Sequence, residues 1–538
     1  MFETLPTGIE ELDLILGGGI RYPRDAAAFV FITGGPGTGK TILGLELTAR
    51  AWLGREEGGG VFLFYSVEQS PLDIQRKLEA DFGYYFECDR EVRVNTEGLI
   101  GKVQLEVDAP GGGVNRLLLL QANPAGLQGP PPGGRPPMVG IEWIQAEVGN
   151  LARVDNLVLV CLDNVALLLS ETEYLPKRAA LLQVRKELQR HRIHGIFIQE
   201  ESPGARPCLP SAEEFSTDIL IRLSFGTFRN DFKARMLEIE KARHQYYYRG
   251  AHHFSIVGKD IRRDQFLGAR SEKGPGVHIY PSIPAQLSLL RDAAYHKRPP
   301  RGPDPLDYGI PALDKALSGG GGPTVRTSTV LLAEPGTPAT EAALFFAAAG
   351  VAKGEKAFFV STREDLDSLR RICRRRKGLE GLLAGGGEGF HPLFVPRYLN
   401  PELIPPGKFT WDILDMVGAS GPVPEEPPPH RRLVFDTITG LDTRFPLVED
   451  PDFLVLALLD LLRNQGVSPL FIEVFSPGDG EGGAPAALLA PYVSRFDTVV
   501  QVFFRRDGTR ETPWCRIHKS PGGEDGREPF PLDFSSGA

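Results

Sequence analysis

The eight residues from Gly34 to Thr41 constrain the fold of this chain more tightly than any other stretch. They read GGPGTGKT, they follow an apolar run at 27–33, and they precede ILGLELTARAWL, whose apolar residues recur at helical spacing. A strand, a glycine-rich turn and a helix in this order let successive backbone N–H groups converge on an anion at the helix N-terminus. The stretch therefore predicts a phosphate-binding loop made of Gly34, Gly35, Pro36, Gly37, Thr38, Gly39, Lys40 and Thr41.

Three side chains complete the predicted site. Lys40 would reach the β- and γ-phosphates of ATP, and Thr41 would place its hydroxyl on Mg²⁺. A second apolar run, 156–169, contains Asp163 at its predicted strand end. An acid there can hold the same ion through water or through Thr41, although a strand-terminal aspartate in a turn also fits the pattern. We expect ATP and Mg²⁺ as the ligands.

A third apolar run, 61–67, ends at Glu68 and Gln69. A carboxylate at this place can orient or deprotonate the water that attacks the γ-phosphate, and the glutamine can assist by hydrogen bonding. On the residues alone, an exposed glutamate at the end of a strand explains the pattern equally well. Glu68 and Gln69 are therefore candidates for catalysis.

Composition narrows the class of protein. The 538 residues suffice for two or three domains, and a net charge of −9 lacks the basic footprint of a dedicated nucleic-acid binder. Five scattered cysteines without a C-x-x-C pair argue against a zinc ribbon or a disulfide scaffold and favour a reducing cytoplasm. The charged start of the chain and the lack of an apolar run of about 18–20 residues predict neither a signal peptide nor a membrane span.

The sequence repeats itself about 300 residues further on. GIEELDLILGGG at 8–19 matches GIPALDKALSGG at 309–320, and the loop at 34–41 then aligns with AEPGTPAT at 333–340. The second stretch again lies between an apolar run and an alanine-rich segment. It is therefore a second copy of the phosphate loop.

Substitutions remove the nucleotide chemistry from the second copy. Gly39 aligns with Pro338, Lys40 aligns with Ala339, and the strand-end glutamate is replaced by threonine, whereas the acid of the second apolar run is kept as Asp436. Proline removes a backbone donor and fixes φ, and alanine removes the cation that faces the phosphates. The second copy predicts the same fold without nucleotide chemistry.

The order of these motifs resembles the KaiC/RadA branch of the RecA superfamily. The shared pattern is G-I-x-x-L-D-x-x-L-x-G-G, then GGPGTGKT, then a strand that ends in E-[EQ]-[ST]-P. The resemblance implies an α/β fold of two tandem RecA-like P-loop domains, each a mostly parallel sheet flanked by helices. It implies an active ATPase domain at 1–262, a linker at 263–304, and a degenerate pseudo-ATPase domain at 305–538.

The resemblance also implies a subunit interface. The stretch 235–256 is similar to a hairpin in which a lysine and an arginine reach the γ-phosphate on the neighbouring subunit, and these would be Lys241 and Arg243 here. On the residues alone, a solvated basic strand is the simpler explanation. In the same way, the stretch 193–202 resembles the strand with a polar sensor, Gln199 or Glu200. The implied protein is a cytoplasmic homo-oligomer, a hexameric ring that hydrolyses ATP slowly and acts as a regulatory assembly.

Two alternatives remain open, and one family activity is not expected. The basic stretch RRICRRRKG at 370–378 favours a DNA-dependent RecA/RadA-like ATPase, although a helix with a solvated basic face also explains it. A scaffold that binds nucleotide without turnover is the other alternative. Some family members phosphorylate an adjacent Ser/Thr pair, but Val493 and Ser494 stand there, so autokinase activity is not expected. The second domain could instead bind a protein partner, and 92–107 could form a hairpin.

Overall fold

The computed structural model contains two compact units, each built around one large sheet. The first unit holds the described residues up to 258 together with 275–285, and the second holds those from 286 onward. The structure describes residues 1–81, 91–95, 102–121, 156–165, 174–201, 217–227, 233–258, 275–294, 304–318, 322–385, 388–399, 404–418, 430–439, 441, 451–475, 486–507, 510–521 and 528–534. Within these ranges no helix is long and apolar enough to cross a membrane.

The first unit begins with a small two-stranded sheet and continues into a large mixed sheet. Its strands are β1 (Phe2–Leu5), β2 (Ile20–Pro23), β3 (Phe29–Gly34), β4 (Val61–Ser66), β5 (Val92–Asn95), β6 (Lys102–Asp108), β7 (Val114–Gln121), β8 (Leu157–Asp163), β9 (His194–Glu200), β10 (Ile219–Thr227), β11 (Lys233–Ala242), β12 (His252–Val257) and β13 (Gly276–Tyr280). Its helices are α1 (Glu10–Ile15), α2 (Lys40–Gly54), α3 (Pro71–Arg76), which runs into a π-helical turn at Lys77–Asp81, and α4 (Tyr174–Arg190). Helix α5 (Ile283–Ala294) follows β13.

The second unit repeats this arrangement with fewer strands among its described residues. Its strands are β14 (Thr329–Ala333), β15 (Lys356–Ser361), β16 (Phe394–Tyr398), β17 (Arg431–Asp436), β18 (Val467–Val474), β19 (Thr498–Asp507), β20 (Arg510–Lys519) and β21 (Phe530–Pro531). Its helices are α6 (Pro311–Ser318), α7 (Ala339–Ala352), α8 (Leu366–Arg375), a 3₁₀ turn at Glu380–Leu382, α9 (Pro406–Met416), α10 (Pro451–Asn464) and α11 (Ala486–Arg495).

The two large sheets share one strand order through their centres. The first runs β7-β4-β8-β9-β3-β10 and the second runs β16-β15-β17-β18-β14-β19, and all of these neighbours are parallel. Antiparallel strands extend each sheet beyond this centre. The predicted fold class, two tandem α/β domains with mostly parallel sheets flanked by helices, is confirmed.

The central strands do not alternate polar with apolar residues, because both of their faces are buried. Every residue of β3 and of β4 is buried, because helices cover both faces of a parallel sheet. On one face α2 packs its leucines against these strands, and on the other face α4 contributes Val184 and Leu188. The phosphate loop is therefore anchored to a rigid strand before it and a rigid helix after it.

The structure forms two elements inside the range predicted as a linker, 263–304. Strand β13 pairs with β12, and its Val277 and Ile279 enter the first core, while α5 follows it. The sequence did not predict this short strand, because the residues on either side of it are rich in proline and arginine. The remainder of the linker range lies outside the described residues, and the domain boundaries stay a prediction. The hairpin predicted at 92–107 is confirmed by the pairing of β5 with β6.

Candidate functional site

The predicted phosphate loop joins the carboxyl end of β3 to the start of α2. Gly39 immediately precedes the helix with φ 102°, a left-handed conformation that favours glycine. A Cβ atom added to Gly39 would come within 2.9 Å of the side chains of Phe254 and Ile256. Both the backbone conformation and the close packing therefore require glycine at this position.

Lys40 is the first residue of α2, and its side chain reaches back to the start of the loop. Its side chain is largely enclosed, with the residue 8% exposed, and its Nζ donates to the carbonyl oxygen of Gly35 at 2.7 Å. Thr38 Oγ1 donates to the same oxygen at 2.8 Å. Burial lowers the pKa of Lys40, and nearby carboxylates oppose that shift. These carboxylates belong to Glu200, Asp163, Glu68 and Glu201.

Asp163 ends β8 beside the loop. Burial raises the pKa of this carboxyl to about 6, and a hydrogen bond with Thr41 opposes the shift. Its backbone is aligned with Ser66 of β4, and its carbonyl accepts the Val67 N–H at 2.6 Å. An oxygen pair from a threonine and an aspartate at a strand end is the donor set that Mg²⁺ prefers beside a phosphate chain.

Glu68 and Gln69 follow β4 directly. Glu68 is exposed, yet its charge acts on both Lys40 and Asp163, so the carboxylate lies at the same site. The Gln69 side chain accepts a hydrogen bond from Lys77 Nζ at its Oε1 at 2.8 Å, and the charge of Lys77 acts on Asp163. The structure thus brings Glu68 to the phosphate loop, and Gln69 is anchored to the turn after α3.

Lys241 and Arg243 lie near one end of the strands of the first sheet, and the phosphate loop of the same unit lies at the other end. Lys241 is paired with Leu220 of β10, and the Arg243 N–H donates to the carbonyl of Asp218 at 2.9 Å. Asp218 bonds to the first residue of β3, Phe29, whereas the loop leaves the last residue of that strand. At about 3.3 Å per residue, the strand separates Arg243 from the loop by roughly 15 Å.

Residues not singled out from the sequence also reach the loop. Arg235 Nε donates to the carbonyl of Gly37 at 3.5 Å, because β11 runs antiparallel and brings its first residues to the loop end. Glu201 accepts from Thr33 Oγ1 at 3.2 Å and pairs with Arg222 at 3.0 Å. No local sequence signal marks Arg235, because its place depends on the register of the β10–β11 hairpin, whereas Glu201 directly follows the predicted sensor residues Gln199 and Glu200.

The second loop keeps part of this arrangement. Thr340 Oγ1 donates to Asp436 Oδ2 at 2.9 Å, and burial raises the pKa of Asp436 to about 6, as at Asp163. Pro338 replaces the left-handed glycine with φ −79°. Glu334 folds its carboxylate back onto the chain, where it accepts the Phe504 N–H at 3.1 Å. The hydroxyl and the acid remain, but the cation and the glycine geometry are gone.

The first loop fits a nucleotide and a divalent cation. It presents a left-handed glycine, an enclosed lysine, and a threonine hydroxyl bonded to a buried carboxyl. The Oε1 atom of Gln199, on the neighbouring strand β9, is buried and accepts no hydrogen bond from the described residues. These groups would hold the β- and γ-phosphates of a nucleotide and a divalent cation, which would supply positive charge beside the phosphates.

The fold and the loop define the class of protein: a P-loop α/β protein made of two units whose central sheets share one strand order. A family model described as "ATPase: KaiC" matches residues 5–95. The UPF0273 protein MK0039 of Methanopyrus kandleri is 40% identical over 115 residues, which are 21% of this chain and 38% of that protein. The circadian clock protein KaiC2 of Synechocystis is 24% identical over 371 residues, 69% of this chain and 54% of that protein.

These likenesses agree with the motif order and with the duplicated sheet. They support a KaiC-like P-loop protein of the RecA superfamily, with the family model matching residues 5–95. The chain spans about half or less of the length of the two curated relatives.

Proposed function

We propose that this protein binds ATP·Mg²⁺ in its first domain and hydrolyses it slowly at the interface between subunits of a hexameric ring. In this proposal Lys40 and the loop N–H groups hold the β- and γ-phosphates, while Thr41 and Asp163 hold the ion. Glu68 orients or deprotonates the attacking water, and Gln69 assists by hydrogen bonding. The ring acts as a regulatory assembly in the cytoplasm.

One observation carries the proposal. Lys241 and Arg243 are near the far end of the sheet from the loop of their own chain. Within one chain they could not reach the phosphates, whereas in a ring the same surface can face the loop of a neighbour. A cation supplied across an interface stabilises the charge of the transition state and makes hydrolysis depend on assembly.

The second domain has a different role in this proposal. Without a cation and with Pro338 in its loop, it does not bind ATP, and it acts as a pseudo-ATPase domain that stabilises the ring or binds a protein partner. Ser494 is an unpromising phosphate acceptor, because its hydroxyl donates to the Pro491 carbonyl within its own helix. We therefore expect no autokinase activity.

A DNA-dependent ATPase is the alternative that the basic helix α8 would favour. Several of its cations, however, already have partners on the protein: Arg370 pairs with Asp367, and Arg371 donates to the Ser368 hydroxyl. Several positive charges of α8 are therefore engaged by residues of the same helix. We favour the regulatory ATPase over the DNA-dependent ATPase. If no hydrolysis is found, the protein is a scaffold that binds nucleotide without turnover.

Nucleotide stoichiometry and mass test the proposal. We expect one nucleotide per chain, an ATP·Mg²⁺-dependent ring, and loss of both in Lys40→Ala, whose ATP affinity should fall by roughly 10²-fold or more. Lys186→Ala is a matched control, because it removes an exposed cation of the first unit from α4, whose end lies toward the start of β9 and away from the loop. Two nucleotides per chain would contradict the single-site proposal, and binding without turnover would favour the scaffold.

A further inference from the structure

A groove of about 870 Å³ runs along helix α7 of the second unit. Its floor is apolar and is formed by one face of the helix together with the end of the described chain. Charged residues at the end of α8 and directly after it stand on the rim of the groove. The residues that matter below are Phe345, Ala349, Leu532, Phe534, Arg375 and Lys377.

In the first unit the equivalent helix face is filled. Glu46 and Arg50 occupy the positions of Phe345 and Ala349, and they form an ion pair at 2.6 Å. Arg50 Nη1 donates to the carbonyl of Gly8 at 2.8 Å. Side chains of the first unit thus close the space that is open above the alanines of α7.

A strand also covers that face in the first unit. Strand β13 pairs with β12, and its Val277 N–H donates to Glu46 Oε2 at 2.8 Å. Residues Val277 and Ile279 of β13 enter the core beside α2. In the second unit β21 and the residues after it occupy the place of β12, and the described part of that sheet has no strand beyond them. The groove lies where the first unit has β13.

The rim of the groove is positively charged. Arg375 and Lys377 are exposed and have no ion pair among the described residues, whereas Arg376 between them pairs with Glu341 at 3.3 Å and covers the Phe534 ring at 4.9 Å. One acid, Asp533, is also in the lining. An occupant with carboxylates toward Arg375 and Lys377 would be electrostatically complementary to this rim.

We propose that this groove binds an extended acidic segment of a partner protein, which takes the place that β13 has in the first unit. Apolar side chains at alternate positions pack on Ala349 and on Phe534, whose ring stacks on the buried Phe345, as Val277 and Ile279 pack on α2. The carboxylates of the segment face the basic rim. Addition of a strand at a sheet edge, with side-chain pockets for specificity, is an established mode of peptide recognition.

A nucleic acid suits this groove less well. Its backbone would need cations and donors along the floor, but the floor is built from phenylalanine, leucine and alanine side chains. The net charge of −9 also opposes a polyanion, while two local cations suffice for a short acidic segment. The occupant is therefore assigned as a peptide.

The inference rests on the proposed partner-binding role of the second domain and does not depend on ATP turnover. The probe is a degenerate pool of fluorescein-labelled nonapeptides that alternate Val, Ile, Leu or Phe with Asp or Glu. A second pool carries Lys in place of the acids. Binding to the full chain is followed by retention and then by fluorescence anisotropy.

Two variants address the groove by different means. Ala349→Arg restores the residue that fills the space in the first unit, and the double variant Arg375→Glu/Lys377→Glu reverses the exposed rim without touching the core. Arg374→Glu is the matched control, because it reverses a neighbouring exposed charge outside the lining. Melting curves verify that each variant folds.

We expect the acidic pool to bind, each groove variant to weaken its affinity by about tenfold or more, and Arg374→Glu to keep it. Lys40→Ala should bind the pool like wild type, so a failure of the ATPase proposal leaves this result intact. No retention, equal retention of the lysine pool, or unchanged binding by a folded groove variant would overturn the inference. Displacement of the peptides by a thymidine oligonucleotide would reassign the groove to nucleic acid. A concentration-dependent dimer abolished by the same variants would reassign it to a second copy of the chain.

Discussion

Asp163 and Asp436 occupy equivalent positions in the two copies of the internal repeat, and their surroundings are similar. Each ends a buried parallel strand, and burial raises the pKa of each to about 6. Each also interacts with a threonine in the first turn of the helix that follows the loop, Thr41 in the first unit and Thr340 in the second. A retained acid is therefore not by itself a sign of a retained nucleotide site. The difference lies in the cation of the loop, since Lys40 aligns with Ala339, whereas the charge that acts on Asp436 belongs to Arg363 outside the loop.

Asp436→Asn should stabilise the second domain in a pH-dependent way. Because its pKa in the folded chain exceeds the ordinary value of 3.8, the folded state holds this proton more tightly than the unfolded state does. That stabilisation is complete below about pH 4 and is lost as the pH rises through about 6. At about pH 7.5 the asparagine variant should gain roughly 1–3 kcal/mol in unfolding free energy, and near pH 4 it should match wild type.

Thermal unfolding followed by circular dichroism at several pH values measures this difference. Asp460→Asn, which removes a charge from the exposed face of α10, is the matched control. ATP·Mg²⁺ binding should be unchanged in Asp436→Asn, because the proposed site is in the first domain. A variant that is less stable than wild type at neutral pH would show that the charged carboxylate is needed for the fold of the second loop.

At the scale of the element, the conformation of the loop rests on Gly39. Gly39→Ala places a Cβ in a left-handed conformation, 2.9 Å from the Phe254 ring. We expect a loss of roughly 1–3 kcal/mol in the stability of the first domain, together with weaker ATP binding. Unfolding and nucleotide titration of the variant measure both effects.

Gly35→Ala is the matched control for the loop. Gly35 has no left-handed φ, and a Cβ added there meets no atom within 4 Å. Its apo stability should therefore remain within about 0.5 kcal/mol of wild type. Equal destabilisation by the two substitutions would mean that loss of glycine freedom in general, rather than the geometry at Gly39, limits the loop.

The sequence predicted those elements whose signal is local. The strand, loop and helix around Lys40 could be read directly, because an apolar run, glycines and helical spacing are adjacent in the chain. The contact of Arg235 with the loop could not, since it depends on the register of an antiparallel strand. Strand β13 was missed because five residues between polar, proline-rich flanks carry a weak pattern. The groove on α7 could not be predicted from the sequence, because it lies where the strand β13 of the first unit has no described counterpart in the second.

At the scale of the whole molecule, the position of Arg243 argues for assembly. The parallel sheet places the phosphate loop at one end of β3, and the Arg243 backbone bonds near the other end. A side chain cannot span the roughly 15 Å between them along the sheet. If Arg243 takes part in hydrolysis, it must therefore act on the nucleotide of another subunit.

Mixing of two inactive variants tests this arrangement. Glu68→Gln subunits keep the phosphate loop and Arg243 but lack the catalytic carboxylate, and Arg243→Ala subunits keep Glu68 but lack the cation, so each variant alone should lose about 10³-fold in ATPase rate. Random assembly from equal amounts places an intact Glu68 beside an intact Arg243 at about a quarter of the interfaces. The mixture should therefore recover about a quarter of the wild-type rate. A mixture of Arg243→Ala with the double variant Glu68→Gln/Arg243→Ala contains no intact arginine, and it should stay inactive. Full activity of Arg243→Ala alone would remove this arginine from the reaction, and no recovery in rings that do mix would place its action within a single chain.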